Sequence, residues 1–201
     1  MIPKVIHQMW LNPDDRDCQS PPDKYPKYHE YIDEIRKLHP DYRYEWWNWN
    51  RVEELWKVPE VSKFKEVYYR LPHLIMKCDF ARYVIMYVYG GFYFDCDTKF
   101  HKRIPDDYHK KDCFFIQEPP HISGGQRIDL YNKTGYSGYV SNNFFGSLGR
   151  DPSWLKLLDD CRQELNRHSD AIRIKDVISI TGPLRITEWV VQCDHVNAIY
   201  K

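Results

Sequence analysis

A pair of glycines between a long apolar helix and a short aromatic strand most constrains how this chain can fold. The pattern predicts a helix over residues 72–89 that ends at Gly90-Gly91. Phe92-Tyr93-Phe94 follows as a strand and runs into Asp95-Cys96-Asp97. Because both elements are apolar on nearly every side, both must be buried, and a buried helix followed directly by a buried strand favours a layered α/β core.

The rest of the chain also alternates short apolar strands with helical stretches. This alternation is typical of a sheet flanked by helices. Strands are predicted at 3–10, 42–49, 114–117 and 140–148, and helices at 27–38, 51–56, 60–70 and 152–167. The length of 201 residues suits a single domain.

Composition excludes some classes of protein. The 29 basic and 29 acidic residues balance, whereas nucleic-acid binders usually carry a basic surplus. We therefore expect no nucleic-acid partner, although balanced totals still allow a locally basic groove. The longest uncharged apolar stretch, Tyr83–Phe94, is shorter than the about 20 residues of a membrane-spanning helix. The six cysteines show no CxxC spacing. We therefore expect free thiols, no membrane anchor and a cytoplasmic location.

Asp95 and Asp97 carry the clearest chemical signal. Carboxylates two residues apart on an extended segment point to the same side, here just beyond a buried strand. Mg²⁺ and Mn²⁺ bind one or two such carboxylates and complete their shell with water and phosphate oxygens. A bare Asp-x-Asp is more often a solvated turn, but the preceding Gly-Gly and aromatic strand favour a cation site.

Asp79 and Arg82 lie three residues apart inside the predicted helix and share one of its faces. A surface ion pair is the simplest interpretation. However, the neighbouring apolar residues leave little exposed surface, and a buried pair of charges requires a reason. Contact with a polar ligand beside the Asp95/Asp97 cation would supply one.

In order along the chain, residues 2–10, Asp79-Phe80-Ala81-Arg82 and residues 90–97 resemble glycosyltransferase family 32. This family of sugar transferases is related to the glucosylating bacterial toxins. The resemblance is specific up to about residue 100 and loose beyond it, through residues 141–145 and 181–183. The short chain resembles bacterial or large-DNA-virus members, chlorovirus ones among them, more than it resembles Golgi members.

The resemblance implies a GT-A fold, a Rossmann-like mixed sheet that binds a nucleotide-sugar at the carboxyl ends of its strands. It implies one domain over 1–201, with a nucleotide-sugar half at about 1–100 and an acceptor half at about 101–201. The implied activity is retaining transfer of a hexose from a nucleotide-sugar, UDP-hexose in preference to GDP-hexose, to a glycan or glycoprotein. Mn²⁺ or Mg²⁺ would be the cofactor, and the chain could be one domain of a longer polypeptide.

The same resemblance assigns roles to individual residues. Asp79, Arg82, Asp95 and Asp97 would form the catalytic group, with Asp95 and Asp97 as metal ligands. A third ligand is expected late in the chain, with His195 as the first candidate and Asp194 as the second. Trp10 would stack on the base beside Met9, and Asp79 and Arg82 would bind the sugar hydroxyls. The full implied donor site is Met9, Trp10, Asp79, Arg82, Tyr93, Asn142 and Asn143.

Further hypotheses concern three other regions. Asn142 and Asn143 interrupt an apolar strand, so they are candidates for donor or acceptor contact. Residues 119–138 are candidates for a lid that orders over bound donor. His7 matches the family's first strand but is expected to be structural.

Two alternatives stay open from the residues alone. A phosphatase of the haloacid dehalogenase type also places an aspartate pair after an apolar strand, but it needs Thr or Val two places after the second Asp, where this chain has Lys99. A noncatalytic carbohydrate-binding module would use exposed aromatic platforms, for which Trp46, Trp47 and Trp49 are candidates. Since neighbouring residues on a strand alternate faces, at least one of Trp46 and Trp47 should be core.

Overall fold

The computed structural model describes residues 1–117, 140–168 and 172–200, the last four by their backbone alone. These residues form a six-stranded mixed sheet in the order β2-β1-β3-β5-β4-β6. The strands are β1 Val5–Met9, β2 Arg43–Trp47, β3 Gly91–Phe94, β4 Cys113–Gln117, β5 Val140–Ser147 and β6 Val196–Tyr200. β1 pairs in parallel with β2 and β3, and β4 with β6, whereas β5 is antiparallel to both of its neighbours.

Helices cover the sheet and connect its strands. They are α1 Pro26–Leu38, α2 Trp49–Leu55, α3 Pro59–Ser62, α4 Lys65–Arg70, α5 Leu74–Tyr89, α6 Asp106–His109, α7 Ser153–Arg167, α8 Val177–Ile180 and α9 Pro183–Gln192, with a 3₁₀ turn at Ile174–Asp176. The predicted strands and the helices at 27–38 and 72–89 agree with these bounds to within two residues at almost every end. The region predicted as one helix at 60–70 contains two short ones, α3 and α4.

The helix α5 is the central element of the larger core. Every residue from Asp79 to Tyr87 is buried, including the charged Asp79 and Arg82. The larger cluster of apolar side chains packs around α5, α7 and α9. A smaller cluster lies on the opposite face of the sheet and contains Phe92 and Phe94.

Alternation along β3 decides which side chains face α5. Phe92 and Phe94 point to the smaller cluster, whereas Tyr93 belongs to the larger one. Since side chains two apart share a face, Asp95 follows Tyr93 toward α5. The strand therefore directs its terminal carboxylate at the helix that carries Arg82.

Gly90 and Gly91 make the connection from α5 to β3 sterically feasible. Both have positive φ, +61° and +102°. A Cβ on Gly90 would lie 2.4 Å from the backbone nitrogen of Gly149, and one on Gly91 would lie 2.6 Å from the carbonyl oxygen of Val5. The glycine pair therefore allows the strand to turn back tightly against its own helix.

His7 lies in the middle of β1 and is fully buried. Its Nε2 is 2.8 Å from the carbonyl oxygen of Gly90, and its Nδ1 accepts a hydrogen bond of 3.0 Å from the indole Nε1 of Trp47. Burial lowers the pKa of the His7 imidazole to about 4. These contacts agree with the structural role expected for His7.

Candidate functional site

The carboxyl ends of β1 and β3 meet at one edge of the sheet. The two strands are parallel neighbours, and beyond them the thiol of Cys96 donates to the carbonyl oxygen of Met9 at 3.5 Å. This contact places the Asp95-Cys96-Asp97 turn beside Met9 and Trp10. The edge at the carboxyl ends of parallel strands is where open α/β sheets bind ligands.

Arg82 is the centre of a buried polar network below this edge. Its Nη1 donates to the carbonyl oxygen of Asn142 at 2.6 Å, and its Nη2 lies 3.4 Å from Asp79 and 3.3 Å from Asp95. The guanidinium also lies over the ring of Tyr93, 4.9 Å from its centroid. Arg82 is thus held on several sides by groups from α5, β3 and β5.

Asp79 is directed into the protein rather than toward solvent. Its Oδ1 accepts a hydrogen bond from the amide of Asn142 at 2.9 Å, and its Oδ2 accepts one from the hydroxyl of Thr181 at 3.1 Å. Burial raises the pKa of the Asp79 carboxyl to about 7, although Arg82 and the hydrogen bond from Thr181 oppose this rise. In this arrangement Asp79 fixes Arg82 and Asn142 in place.

Asp95 connects the buried network to the surface. Its side chain is 32% exposed, and it accepts a hydrogen bond of 3.1 Å from the hydroxyl of Tyr93. Burial raises the pKa of Asp95, Arg82 lowers it, and the negative charge of Asp97 raises it again. Asp97 itself is exposed. The two carboxylates therefore lie close enough to repel each other, an arrangement that a bound cation would relieve.

A cleft of about 560 Å³ opens at this edge of the sheet. Both aspartates of the Asp-x-Asp pair, together with Arg82 and Tyr93, line it. The complete lining is Met9, Trp10, Leu11, Tyr25, Tyr28, His73, Leu74, Ile75, Cys78, Arg82, Tyr93, Asp95, Cys96, Asp97 and Ile174. The volume is in the range of small-molecule sites.

An aromatic wall forms one side of the cleft. The ring of Trp10 lies 5.4 Å from that of Tyr25 and 6.1 Å from that of Tyr28, centroid to centroid, and the two tyrosines stack on each other at 5.2 Å. Burial and then the charge of Asp97 raise the pKa of Tyr28, which places Tyr28 near the acidic pair. Trp10 was expected from the sequence. The tyrosines were not, although their spacing of three residues was a readable signal.

Asn142 and Asn143, which the sequence predicted as donor or acceptor contacts, make hydrogen bonds to other groups of the protein. The amide of Asn142 donates to Asp79 and, at 3.2 Å, to the hydroxyl of Tyr83. The carbonyl oxygen of Asn143 accepts a hydrogen bond from the backbone nitrogen of Asp95 at 2.9 Å. Neither of them, nor Asp79, is among the cleft-lining residues. Their contacts hold the cleft wall in position, and the predicted lid at 119–138 lies outside the described residues.

The structure does not bring His195 to Asp95 and Asp97. His195 precedes β6, whose first residue Val196 is level with Cys113 and Ser147, and Ser147 is level with Gly91 at the start of β3. The Asp-x-Asp pair follows the other end of β3. The Nε2 of His195 instead lies 2.7 Å from Asp151. The expectation of His195 as a metal ligand is therefore corrected: the sheet register places it at the opposite edge.

The residues at the cleft fit a hard cation whose coordination shell would be completed by water and by the phosphate oxygens of a bound molecule. In the described part of the chain, no group of three or more His, Cys, Asp or Glu side chains is arranged to bind a metal ion. Two neighbouring carboxylates, one exposed and one partly so, suit Mg²⁺ or Mn²⁺, which take their remaining ligands from water and phosphate oxygens. Asp95 and Asp97 would be the protein ligands.

The tryptophans of the binding-module alternative are not gathered in the cleft. Trp47 is 2% exposed and belongs to the core, as expected for one of the strand pair. The indole of Trp46 donates to the carbonyl oxygen of Cys18 at 2.8 Å, and Trp49 packs against the larger core. None of these three lines the cleft.

Comparison with known proteins relates the segment that carries the acidic pair to a family of sugar transferases. Residues 26–115 match the family model described as a glycosyltransferase sugar-binding region containing a DXD motif. This stretch is similar to the sugar-binding region of DXD-containing glycosyltransferases. The resemblance to DXD-containing sugar transferases is thereby confirmed, and Asp95-Cys96-Asp97 is the Asp-x-Asp sequence within the matched residues.

Individual relatives agree with this family. An uncharacterized glycosyltransferase of Acanthamoeba polyphaga mimivirus is 32% identical over 106 residues, 53% of this chain and 39% of that protein. A mannosyl phosphorylinositol ceramide synthase of Saccharomyces cerevisiae is 27% identical over 187 residues, 93% of this chain and 42% of the synthase. The chain thus spans about two fifths of the length of these curated relatives.

A solved structure confirms the predicted fold. The PaToxG glycosyltransferase superposes with a TM-score of 0.62 at 17% identity, over 95% of this chain and 69% of the toxin chain. The expected GT-A architecture, a mixed sheet flanked by helices, is therefore present. In the described part of the chain, no helix has the length and apolar character needed to cross a membrane.

Proposed function

We propose that this chain transfers a hexose from a nucleotide-sugar to an acceptor hydroxyl, with Mn²⁺ or Mg²⁺ bound by Asp95 and Asp97. One observation carries the proposal: a single cleft joins an aromatic wall at Trp10 to an acidic pair backed by a buried arginine. A nucleotide-sugar has three matching parts, namely a flat base, a diphosphate and a polyhydroxylated ring.

The chemistry of sugar transfer fits the charges of the site. As the bond from the anomeric carbon to oxygen breaks, negative charge builds up on the departing phosphate. A divalent cation at Asp95 and Asp97 would act as a Lewis acid toward that charge. Arg82 supplies a second, fixed positive charge that needs no reorganisation, because Asn142, Asp79 and Asp95 already hold it.

The other residues contribute binding and orientation. Trp10 provides a face on which a base can stack, and Tyr93 places its hydroxyl on Asp95. Both oxygens of Asp79 are engaged by protein donors, so we assign Asp79 to positioning Arg82 rather than to direct contact with the sugar. Asn142 acts in the same way through its bonds to Arg82 and Asp79.

The identity of the donor, the identity of the acceptor and the stereochemistry of the transfer are predictions. The sequence resemblance favours a UDP-hexose, whereas relatives matched over most of the chain are named as a mannosyl phosphorylinositol ceramide synthase and an inositol phosphoceramide mannosyltransferase. A donor panel should therefore contain UDP-hexoses and GDP-mannose. NMR of the product anomer tests retention; inversion would favour a carboxylate base, for which Glu118 and Asp129 are candidates outside the described residues.

Replacement of the acidic pair tests the proposal. We expect Asp97→Asn and Asp95→Asn each to lower kcat/KM for the donor by at least ~10²-fold, about 2.7 kcal/mol. Asp107→Asn is the matched control, because Asp107 is an exposed aspartate on α6 that pairs with Lys110. Turnover should also stop in excess chelator. Near wild-type turnover in both variants, or full activity with chelator, would remove the cation from the reaction.

A further inference from the structure

The mouth of the cleft carries an unusual concentration of exposed apolar side chains. Leu74, Ile75 and Ile174 are 38%, 45% and 66% exposed, and all three line the cleft. They are three of the seven large hydrophobic side chains that are exposed among the described residues. Scattered apolar residues on a surface are ordinary, but a cluster at one place marks a contact surface. These three residues are termed the apolar rim.

Two segments distant in sequence form the apolar rim. Leu74 and Ile75 begin α5, and Ile174 begins the 3₁₀ turn. The Nε2 of His73 lies 2.8 Å from the carbonyl oxygen of Ile172, which joins the two segments beside the cleft. Because Ile174 is two-thirds exposed, the rim faces solvent rather than only the inside of the cleft.

Basic residues flank the apolar rim. Ile174 lies between Arg173 and Lys175, both exposed, and Arg173 makes a weak contact of 3.5 Å with Asp176. The chain as a whole is neutral. Arg173 and Lys175 therefore place positive charge beside the rim in a chain that is neutral overall.

We propose that the apolar rim docks the mouth of the cleft onto an anionic lipid bilayer. Exposed aliphatic side chains flanked by Lys and Arg are the chemistry of interfacial membrane binding, in which apolar groups enter the headgroup region and cations meet anionic lipids. A protein partner fits less well, because protein interfaces are depleted in lysine. A nucleic acid would leave the aliphatic side chains without a partner. The docking goes beyond sugar transfer and does not depend on it.

Vesicle sedimentation with the full chain tests this docking. We expect binding to vesicles of equimolar phosphatidylcholine and phosphatidylserine, little binding to phosphatidylcholine alone, and weaker binding at high salt. The double variant Ile75→Ser with Ile174→Ser should lower the partition coefficient about tenfold. Lys175→Glu should lower binding to the anionic vesicles specifically. Val191→Ser, which removes an exposed apolar side chain on α9 outside the cleft lining, should bind like the wild type.

Three results would overturn the docking: no binding of the wild type to anionic vesicles, unchanged binding by the double variant, or an equal loss in Val191→Ser. Thermal melting of each variant shows that it is folded, which is expected because all the replaced side chains are exposed. Donor binding without vesicles is measured separately. Vesicle binding without nucleotide-sugar binding would overturn the proposed function and keep the docking, and the reverse result would overturn the docking alone.

Discussion

Arg82 combines a structural position with a proposed function. It is 3% exposed, yet it lines the cleft and contacts the partly exposed Asp95. Taking a guanidinium out of water costs free energy that only good partners offset. The carbonyl oxygen of Asn142, the two carboxylates and the ring of Tyr93 supply those partners.

Substituting lysine for Arg82 tests this dual role. The ammonium group of lysine is a compact point charge and cannot contact Asn142, Asp79 and Asp95 at the same time. We expect Arg82→Lys to lower the free energy of unfolding by about 3 kcal/mol in urea denaturation and to lower kcat/KM for the donor. Arg43→Lys is the control, because the side chain of Arg43 is mostly exposed beside Glu45. Equal stabilities for the two variants would contradict the central position of Arg82.

The buried His7 leads to a prediction of how the stability of the protein depends on pH. Its pKa is about 4 in the folded protein and 6.5 ordinarily, so between these values the unfolded chain binds more protons. Stability from His7 is therefore present above pH 6.5 and is lost as the pH falls toward 4, by about 3 kcal/mol. Asp79, with its raised pKa of about 7, acts in the opposite direction over much of this range.

Comparison with His7→Gln isolates the histidine. The glutamine cannot take up a proton, while Asp79 is the same in both proteins, so its effect cancels in the difference. We expect the stability advantage of the wild type over His7→Gln, measured by urea denaturation, to shrink as the pH falls from 6.5 to 4. A constant difference between wild type and His7→Gln would show that His7 is not held neutral.

At the scale of elements, α5 and β3 form one unit with the glycine pair between them. The helix supplies Asp79 and Arg82, and the strand supplies Tyr93 and Asp95 on the facing side. A tight reversal between them is needed to bring these side chains together. It is provided by the backbone of Gly90, which packs directly against Leu148 and Gly149.

Replacing Gly90 should disturb this unit. Alanine at Gly90 would have φ near +61° with ψ near −166°, a combination that is almost exclusive to glycine, and its Cβ would overlap the backbone of Gly149. We expect Gly90→Ala to lower the free energy of unfolding by at least ~2 kcal/mol. Tyr89→Ala, next to it and 41% exposed, should cost less in the same urea titration. Equal losses would contradict the steric explanation.

At the scale of the whole molecule, the chain has no net charge, so its proposed ligands would be bound by charged groups at particular places on the surface. The cleft is acidic at Asp97, Arg82 is buried beneath it, and Arg173 and Lys175 flank Ile174 of the apolar rim. A diphosphate would thus be bound through a cation and one arginine rather than through a broad basic surface. This separation of charges agrees with the absence of a net basic surplus.

Ligand binding should raise the stability of the whole domain. A donor that binds only the folded state adds about 2.7 kcal/mol at about 100 times its Kd, which corresponds to a Tm increase of about 5 to 10 °C. We expect this shift in a thermal melt with a nucleotide-sugar plus Mn²⁺, but not with either one alone. Asp97→Asn should abolish the shift, whereas Asp107→Asn should retain it. A shift with nucleotide-sugar alone would contradict binding through the cation.

Much of the molecule could be predicted because its signals are local. The apolar helix, the glycine pair, the aromatic strand and the Asp-x-Asp turn are read from neighbouring residues, and the structure has them at nearly the predicted bounds. Arg82, Asp95 and Asp97 were candidates from the residues alone, whereas Trp10 and Tyr93 were candidates only through the family resemblance. The structure places all five in the lining of one cleft. The resemblance to a known family supplied the remaining roles.

The sequence by itself therefore determined most elements up to residue 167, the α/β class and the acidic pair, because hydrophobic periodicity and turn chemistry act over a few residues. It did not predict the short helix α6 or the elements from the 3₁₀ turn to β6. Only the tertiary structure decided which distant groups meet. Asp79 contacts Thr181 across 102 positions, and Ile174 joins Leu74 and Ile75 at the cleft mouth. It also placed His195 at the other sheet edge. Sheet order and register set these contacts, and neither follows from the pattern within a single strand.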